Sequence, residues 1–376
     1  MKEVALYIHI PFCKQKCFYC DFPSYARKDD LMADYVDALI KEIEEVTKEY
    51  KIRSLFIGGG TPSYLNEITL QKLMNTIKNI NFVDGAEKSI ECNPGTVSKE
   101  KFEIIKSGGI NRLSFGLQTT KNHLLKEIGR IHTFEEFKEN YTYARKAGFE
   151  NINIDMMFGL PKQSVKDWLE SLEEVIELKP DHISAYSLII EEGTPFYKLY
   201  NEDKLELPSE DEEREMYAIG KKLLIDNGYN QYEISNYARD GKECLHNEVY
   251  WKCEEYIGVG ASSSSYIDGK RIKNIDDLRE YTKRINNGES VVEEEIINSK
   301  KDDIEEFMFM GLRMNCGIDE DEFKRRFNMG IDDVYKNVIE GNIKKGLLER
   351  KNGRVYLTDK GIELSNMVMS DVILEW

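Results

Sequence analysis

An apolar, β-branched run at 6–10, LYIHI, reads as a strand, and Pro11 ends it. Residues 31–50 then place apolar side chains at helical intervals with charges between them, which predicts an amphipathic helix. IRSLFIGGGTP brings a short apolar strand straight into glycines. The alternation continues: strand 88–94, helix 98–107, strand 111–118, helix 133–147, strand 151–161, helix 164–178 and strand 182–195. Six strands separated by helices, at intervals long enough for βα units, predict an α/β fold with a parallel sheet. Both a doubly wound sheet and a barrel fit that order. The unusual residues fall at the C-terminal ends of their strands: the early cysteines, Gly58 to Thr61, Glu91, Gln118 and Asp155. Such ends form one face of a (β/α) barrel, whereas a single switch point would gather them on two adjacent strands. The expectation is a partial barrel of six βα units.

Beyond residue 209 the pattern changes. Ser209 caps a helix with acidic residues in its first turn, and YEISNYA reads as one more strand. Residues 239–266 mix Cys, His, Trp, Gly and four consecutive serines, and no regular element is assigned there. From about 300 the chain is helical again. Asn352-Gly353 between two short strands then signals a hairpin, giving a small helical, winged-helix-like unit. The organisation expected is a barrel at 1–238, a connecting region at 239–295 and a C-terminal domain at 296–376.

The formal charge of −17 over 376 residues disfavours nucleic acid, which needs clustered Lys and Arg, but permits a local basic pocket for a small anion. No apolar run reaches membrane-spanning length and no leader pattern opens the chain. Seven cysteines, three of them in one cluster, point to a reducing, cytoplasmic setting.

Cys13, Cys17 and Cys20 are spaced C-x3-C-x2-C just after the first strand. Thiols packed this closely in an intracellular chain are metal ligands more often than disulfide partners. Three thiolates fit three corners of a cubane iron–sulfur cluster and leave one iron open. A structural zinc site, with His9 or a remote residue as fourth ligand, is the other reading. Gly58-Gly59-Gly60 followed by Thr61-Pro62 reads either as a tight turn or as a cradle in which backbone approaches a ligand. No Gly-Lys-Ser/Thr follows, so it is not a P-loop. Glu91, Gln118, Arg130 and Asp155 could together meet hydroxyls, a positive charge and a carboxylate, with Arg130 suited to the last by its forked donors.

C-x3-C-x2-C on a loop after the first strand, with Tyr19 just before the last cysteine, resembles the signature of the radical SAM superfamily. IHIPFCKQKCFYCDF, ECNP, SFGLQ, IGRIH and NIDMMFGLP, in this order, resemble the branch holding oxygen-independent coproporphyrinogen III oxidases and heme chaperones. The resemblance implies an incomplete six-unit barrel, a [4Fe–4S] cluster on Cys13, Cys17 and Cys20, and S-adenosylmethionine chelated to the open iron. It further implies cofactor contacts from Tyr7, Tyr19, Gly59, Gly60, Thr61, Glu91, Gln118, Arg130 and Asp155.

The tract CLHNEVYWKC at 244–253 holds H-N-x-x-Y-W, similar to the heme-associated motif of the chaperones. It implies His246 as an axial ligand, with Tyr250 and Trp251 on a porphyrin face. Two features favour the chaperones over the oxidases. Phe22 stands where the oxidases carry a further cysteine, and only twelve residues precede Cys13. GVGASSSSY at 258–266 departs from the glycine- and histidine-bearing version of that stretch. The function implied is heme carriage to a hemoprotein acceptor, respiratory and membrane-associated or otherwise, with an electron donor such as flavodoxin or ferredoxin. The alternative is an oxidase converting propionates to vinyls. The resemblance leaves open productive cleavage of S-adenosylmethionine, and it allows a homodimer.

Overall fold

The computed structural model describes residues 1–374. Its main element is a twelve-stranded sheet. Six strands correspond to the apolar runs: β1 (Lys2–Ile10), β2 (Tyr50–Gly59), β3 (Phe82–Cys92), β4 (Arg112–Gln118), β5 (Ile152–Phe158) and β6 (His182–Ser187). Each is parallel to the next. Parallel neighbours require a long crossover, and helices Met32–Val46, Glu67–Lys78, Lys99–Ser107, Phe134–Lys146 and Val165–Glu177 provide five. Asn66, Ser98, Thr133 and Ser164 start four of these helices by accepting a backbone N–H of the first turn. The fold is α/β, a partial six-unit barrel.

Strand alternation divides two environments. On β4, Leu113, Phe115 and Leu117 are fully buried, and Phe115 meets Phe102 and Phe137 of the surrounding helices. The opposite face of the same strand carries Arg112, Ser114 and Gln118. Neighbouring strands repeat this, with Glu87 and Glu91 on β3, Asn153 and Asp155 on β5, and His182 and Ser184 on β6. Helix-facing Leu, Ile and Phe side chains stabilise by about 1.5–3 kcal/mol each on burial. The inward polar groups cost free energy unless they pair. They pair.

The strands depart from expectation in definite places. The chain after His182 leaves the sheet at Ser187, because Leu188 and Ile190 pack instead on a separate cluster of Leu124, Ile128, Met157, Leu160 and Phe196. YEISNYA forms an antiparallel pair, β7 (Asn230–Glu233) and β8 (Asn236–Ala238), and β8 is antiparallel to β6.

Residues 239–266 are ordered, contrary to the lack of assignment. They contain the helix Leu245–Trp251 and β9 (Tyr256–Val259), which runs parallel to β1 on the side away from β2. The antiparallel strands β10 (Ser264–Ile267), β11 (Lys270–Asn274) and β12 (Val292–Ile297) continue outward. Only four residues long and interrupted by Gly258, β9 gives little periodic signal. That glycine is required, since a Cβ there would lie 2.2 Å from Ser264 O. The connecting region thus extends the barrel sheet, and Ile257, Val259, Leu278 and Tyr281 share its core.

The C-terminal part has its own core of Phe307, Phe323, Tyr335, Val355 and neighbours. Three helices, Lys300–Gly311, Glu320–Phe327 and Asp332–Lys344, precede the hairpin of strands Leu348–Lys351 and Arg354–Leu357. Asn352 (φ 55°) and Gly353 (φ 71°) make its turn, as the dipeptide predicts.

Candidate functional site

The cysteine loop is closed at its base. Phe12 and Cys13 pair with Tyr25 and Ala26, and Tyr25 N–H donates to Pro11 O at 2.7 Å. His9 Nε2 lies 2.8 Å from Pro23 O and its Nδ1 3.0 Å from the Tyr7 hydroxyl. A carbonyl only accepts, so Nε2 carries the proton and Nδ1 accepts from Tyr7. Both nitrogens are thus engaged, and His9 fixes the loop instead of completing a zinc site. Cys13 is buried; Cys17 and Cys20 are partly exposed, and all three are free thiols. Among the described residues, no three His, Cys, Asp or Glu side chains converge as for a single ion. Burial pushes the Cys13 thiol up and that of Cys20 to about 11. A metal centre bound to these sulfurs would favour their thiolate forms.

The glycine turn is shaped by these neighbours. A Cβ on Gly60 would stand 3.0 Å from Cys13 Sγ and 2.9 Å from Phe12 O. On Gly59, whose φ is +111°, it would strike the His9 ring at 2.5 Å, and on Gly58 it would press on the Glu91 carboxylate at 3.1 Å. The triplet thus fits tightly against His9 of β1, Glu91 of β3 and the cysteine loop, so it combines both sequence readings, turn and cradle. Thr61, also buried, places its hydroxyl 3.5 Å from Cys13 Sγ and accepts from Asn93 Nδ2 at 2.7 Å.

The remaining expected residues ring this point. Glu91 accepts the Gly59 N–H at 3.1 Å; burial, then the charge of Asp155, pushes its carboxyl up to about 8. Burial also raises Asp155 and the Tyr7 phenol. Arg130 donates through Nη2 to Asn93 Oδ1 and Gly116 O, and through Nη1 to Cys17 Sγ at 3.5 Å. Its Nε is buried without a hydrogen-bond partner among the described residues. Part of the forked donor set expected to clamp a ligand carboxylate is therefore spent inside the protein. Gln118 ends β4 at φ 75°, a left-handed conformation uncommon for a side chain of its size. Tyr19 packs on the cluster around Phe196, beside Cys17 and Arg130. Asn93, which joins Thr61 to Arg130, is a site residue the individual assignments missed, although it lies in ECNP. A small opening lies against Cys17, Thr61, Asn93, Arg130, His132 and Lys14.

Residues 7–175 match the model of the radical SAM superfamily, and 298–364 that of the HemN C-terminal domain. The chain is 39% identical to the heme chaperone HemW of Lactococcus lactis subsp. lactis (strain IL1403), covering 100% of this chain and 98% of that one. The HemW of Bacillus subtilis (strain 168) is also 39% identical, with 97% of each chain covered. The chain belongs to the HemW family of the radical SAM superfamily. A mitochondrial radical S-adenosyl methionine domain-containing protein 1 of Danio rerio is 33% identical, over 99% of this chain and 86% of its own. Among solved structures, the coproporphyrinogen III oxidase HemN of Escherichia coli superposes with a TM-score of 0.86 at 24% identity, over 99% and 90% of the two chains, a likeness of fold.

In this HemW-family chain the histidine of the H-N-x-x-Y-W segment is interior, while Asn247, Tyr250 and Trp251 are partly buried. His246 is fully buried on the Leu245–Trp251 helix. Its Nδ1 lies 3.0 Å from Ser54 Oγ, its Nε2 lies 2.8 Å from the Tyr250 hydroxyl, and its ring stacks on Phe56. Burial, with Arg53 and Arg112 nearby, pushes its pKa down to about 3, so it is neutral. Both nitrogens are hydrogen-bonded within the protein here, so axial ligation by His246 would require one of these bonds to break. Tyr250 meets Tyr256 edge-on, and the Arg313 guanidinium lies 4.4 Å over the Trp251 ring. Through Trp251 and Arg313 the motif also ties the barrel to the C-terminal part. Among the described residues, no helix is long and apolar enough to cross a membrane.

Proposed function

We propose that this chain is a heme chaperone that holds a [4Fe–4S] cluster through Cys13, Cys17 and Cys20, binds S-adenosylmethionine beside it, and delivers heme to a hemoprotein acceptor. The observation carrying the cofactor reading is the approach of the glycine turn to the cysteine loop, where a single added carbon on Gly60 would press on Cys13 Sγ. Its backbone and Thr61 border the thiols, Glu91 and Asp155 supply carboxylates for a cationic nucleoside, and the buried Arg130 Nε awaits an acceptor. When bound and reduced, the cluster supplies one electron at the sulfonium of S-adenosylmethionine. The chain's residues bind and orient that ligand, and the Glu91 carboxyl can give up a proton as a cation settles. Flavodoxin or ferredoxin is the class of electron donor.

The heme reading is supported by full-length similarity to heme chaperones. Titration with hemin tests it: a Soret band should develop to saturation, and the loaded chain should pass its heme to an apo-hemoprotein. A titration giving only the spectrum of free hemin overturns the chaperone reading.

A further inference from the structure

The barrel interior holds a chain of hydrogen bonds that points one way. Asn153 Nδ2 donates to Asp155 Oδ1 at 2.7 Å and to Ser114 Oγ at 2.8 Å. This leaves Asn153 Oδ1 as an acceptor, and His182 Nδ1 lies 2.7 Å from it. Nδ1 must therefore carry the proton, and neutral His182 then offers a lone pair on Nε2. The Tyr232 hydroxyl lies 2.9 Å from that Nε2 and donates to it. Its oxygen in turn accepts the backbone N–H of Cys244 at 3.2 Å, at the start of the Leu245–Trp251 helix. His182 is fully buried, and burial together with nearby Arg112 holds its pKa well below the usual imidazole range, so the ring is neutral and its two hydrogen bonds set the tautomer. Bonds aligned in one direction polarise one another, and each strengthens the next.

We infer that His182 and Tyr232 are positioning residues for Asp155, acting through Asn153. The same chain makes the ligand-facing end of the barrel and the start of the H-N-x-x-Y-W helix respond to each other. The four residues lie on β5, β6 and β7, so the strand register sets the alignment; Asn153 pairs directly with His182 between β5 and β6. An aspartate held in this way keeps one oxygen turned to the relay and the other toward Ser114 at 3.4 Å. Its orientation is then decided by the protein before a ligand arrives. The inference rests on the proposed nucleotide site for its consequence in binding, but the relay itself is independent of any ligand.

The experiment uses the full chain. In Tyr232→Phe, the Nε2 resonance of His182 should move to that of an unbonded imidazole nitrogen, and in Asp155→Ala the Cys244 amide should exchange faster by about three- to ten-fold. Unchanged ring-nitrogen shifts in the first variant and unchanged exchange in the second overturn the relay. After anaerobic reconstitution, S-adenosylmethionine should bind about five- to ten-fold more weakly to His182→Leu, the scale of one neutral hydrogen bond. His182→Asn, whose amide can still donate to Asn153, should recover most of that loss. Equal affinities for all three overturn the positioning role. If the unaltered chain takes up no S-adenosylmethionine, the nucleotide reading fails, while the ring-nitrogen and exchange measurements still decide the relay.

Discussion

Gly60 and Cys13 stand so close that the smallest side chain on the glycine would sit 3.0 Å from the sulfur. The crowding is steric and not conformational, because Gly60, unlike Gly59, is absent from the left-handed region. Gly60→Ala should therefore fold, with an overpacking cost of about 1–3 kcal/mol, and should displace the Cys13 thiol. We expect reconstituted Gly60→Ala to retain clearly less iron than the unaltered chain, measured by iron content per chain. Full retention would show that the turn can yield without moving the sulfur.

Glu91 gives a pH dependence whose sign can be worked out. Its carboxyl is pushed up to about 8 in the fold, from roughly 4.3 in an unfolded chain. The folded state therefore holds the proton more tightly, and this contribution to stability is present below the unfolded value and lost as pH rises through about 8. Melting temperature should fall between about pH 5 and 8, and Glu91→Gln should flatten that fall.

The same group should make binding of a cationic nucleoside release protons near neutrality, since a nearby positive charge favours the carboxylate. S-adenosylmethionine should bind more tightly as pH rises toward 8. Calorimetry in buffers of different ionisation enthalpy would read the released proton directly, and its absence would place the sulfonium away from Glu91.

His246→Ala should be a stability variant. It leaves Ser54 and Tyr250 without their partner and opens space beside Phe56, which together should cost about 2–4 kcal/mol. We expect a lowered melting temperature with the Soret band of added hemin little changed. A Soret band abolished in a variant that melts normally would establish His246 as an axial ligand.

Coproporphyrinogen III offered to the reconstituted chain with S-adenosylmethionine and a reductant should remain unconverted. Phe22, largely exposed at the cysteine loop, offers no thiol there. Formation of protoporphyrinogen would make the chain an enzyme of that class.

The six strands were legible because their helix-facing positions are runs of Val, Ile, Leu and Phe, and because each ends in residues a packed core would not choose. Cys13, Gly58 to Thr61, Glu91 and Asp155 stood out in sequence for the same reason. Asn93 did not, since its part is to bridge Thr61 and Arg130, a relation that exists only once three strand ends meet. β9 escaped because four residues with a glycine among them carry no period. The contacts of His246 were not legible because a histidine beside aromatic residues has the same local pattern whether it meets a metal or hydrogen-bonds Ser54 and Tyr250. The relay through His182 could have been suspected from Arg112 and Ser114 on β4 and Asn153 and Asp155 on β5, alternate positions that mark a partly polar interior.

The measurement closest to the central claim is iron and acid-labile sulfide per chain after anaerobic reconstitution, in the unaltered protein and in Cys13→Ala, Cys17→Ala and Cys20→Ala. We expect about four iron and four sulfide in the unaltered chain and a loss in each variant. Material that takes up neither, or that binds one zinc per chain instead, would contradict the account.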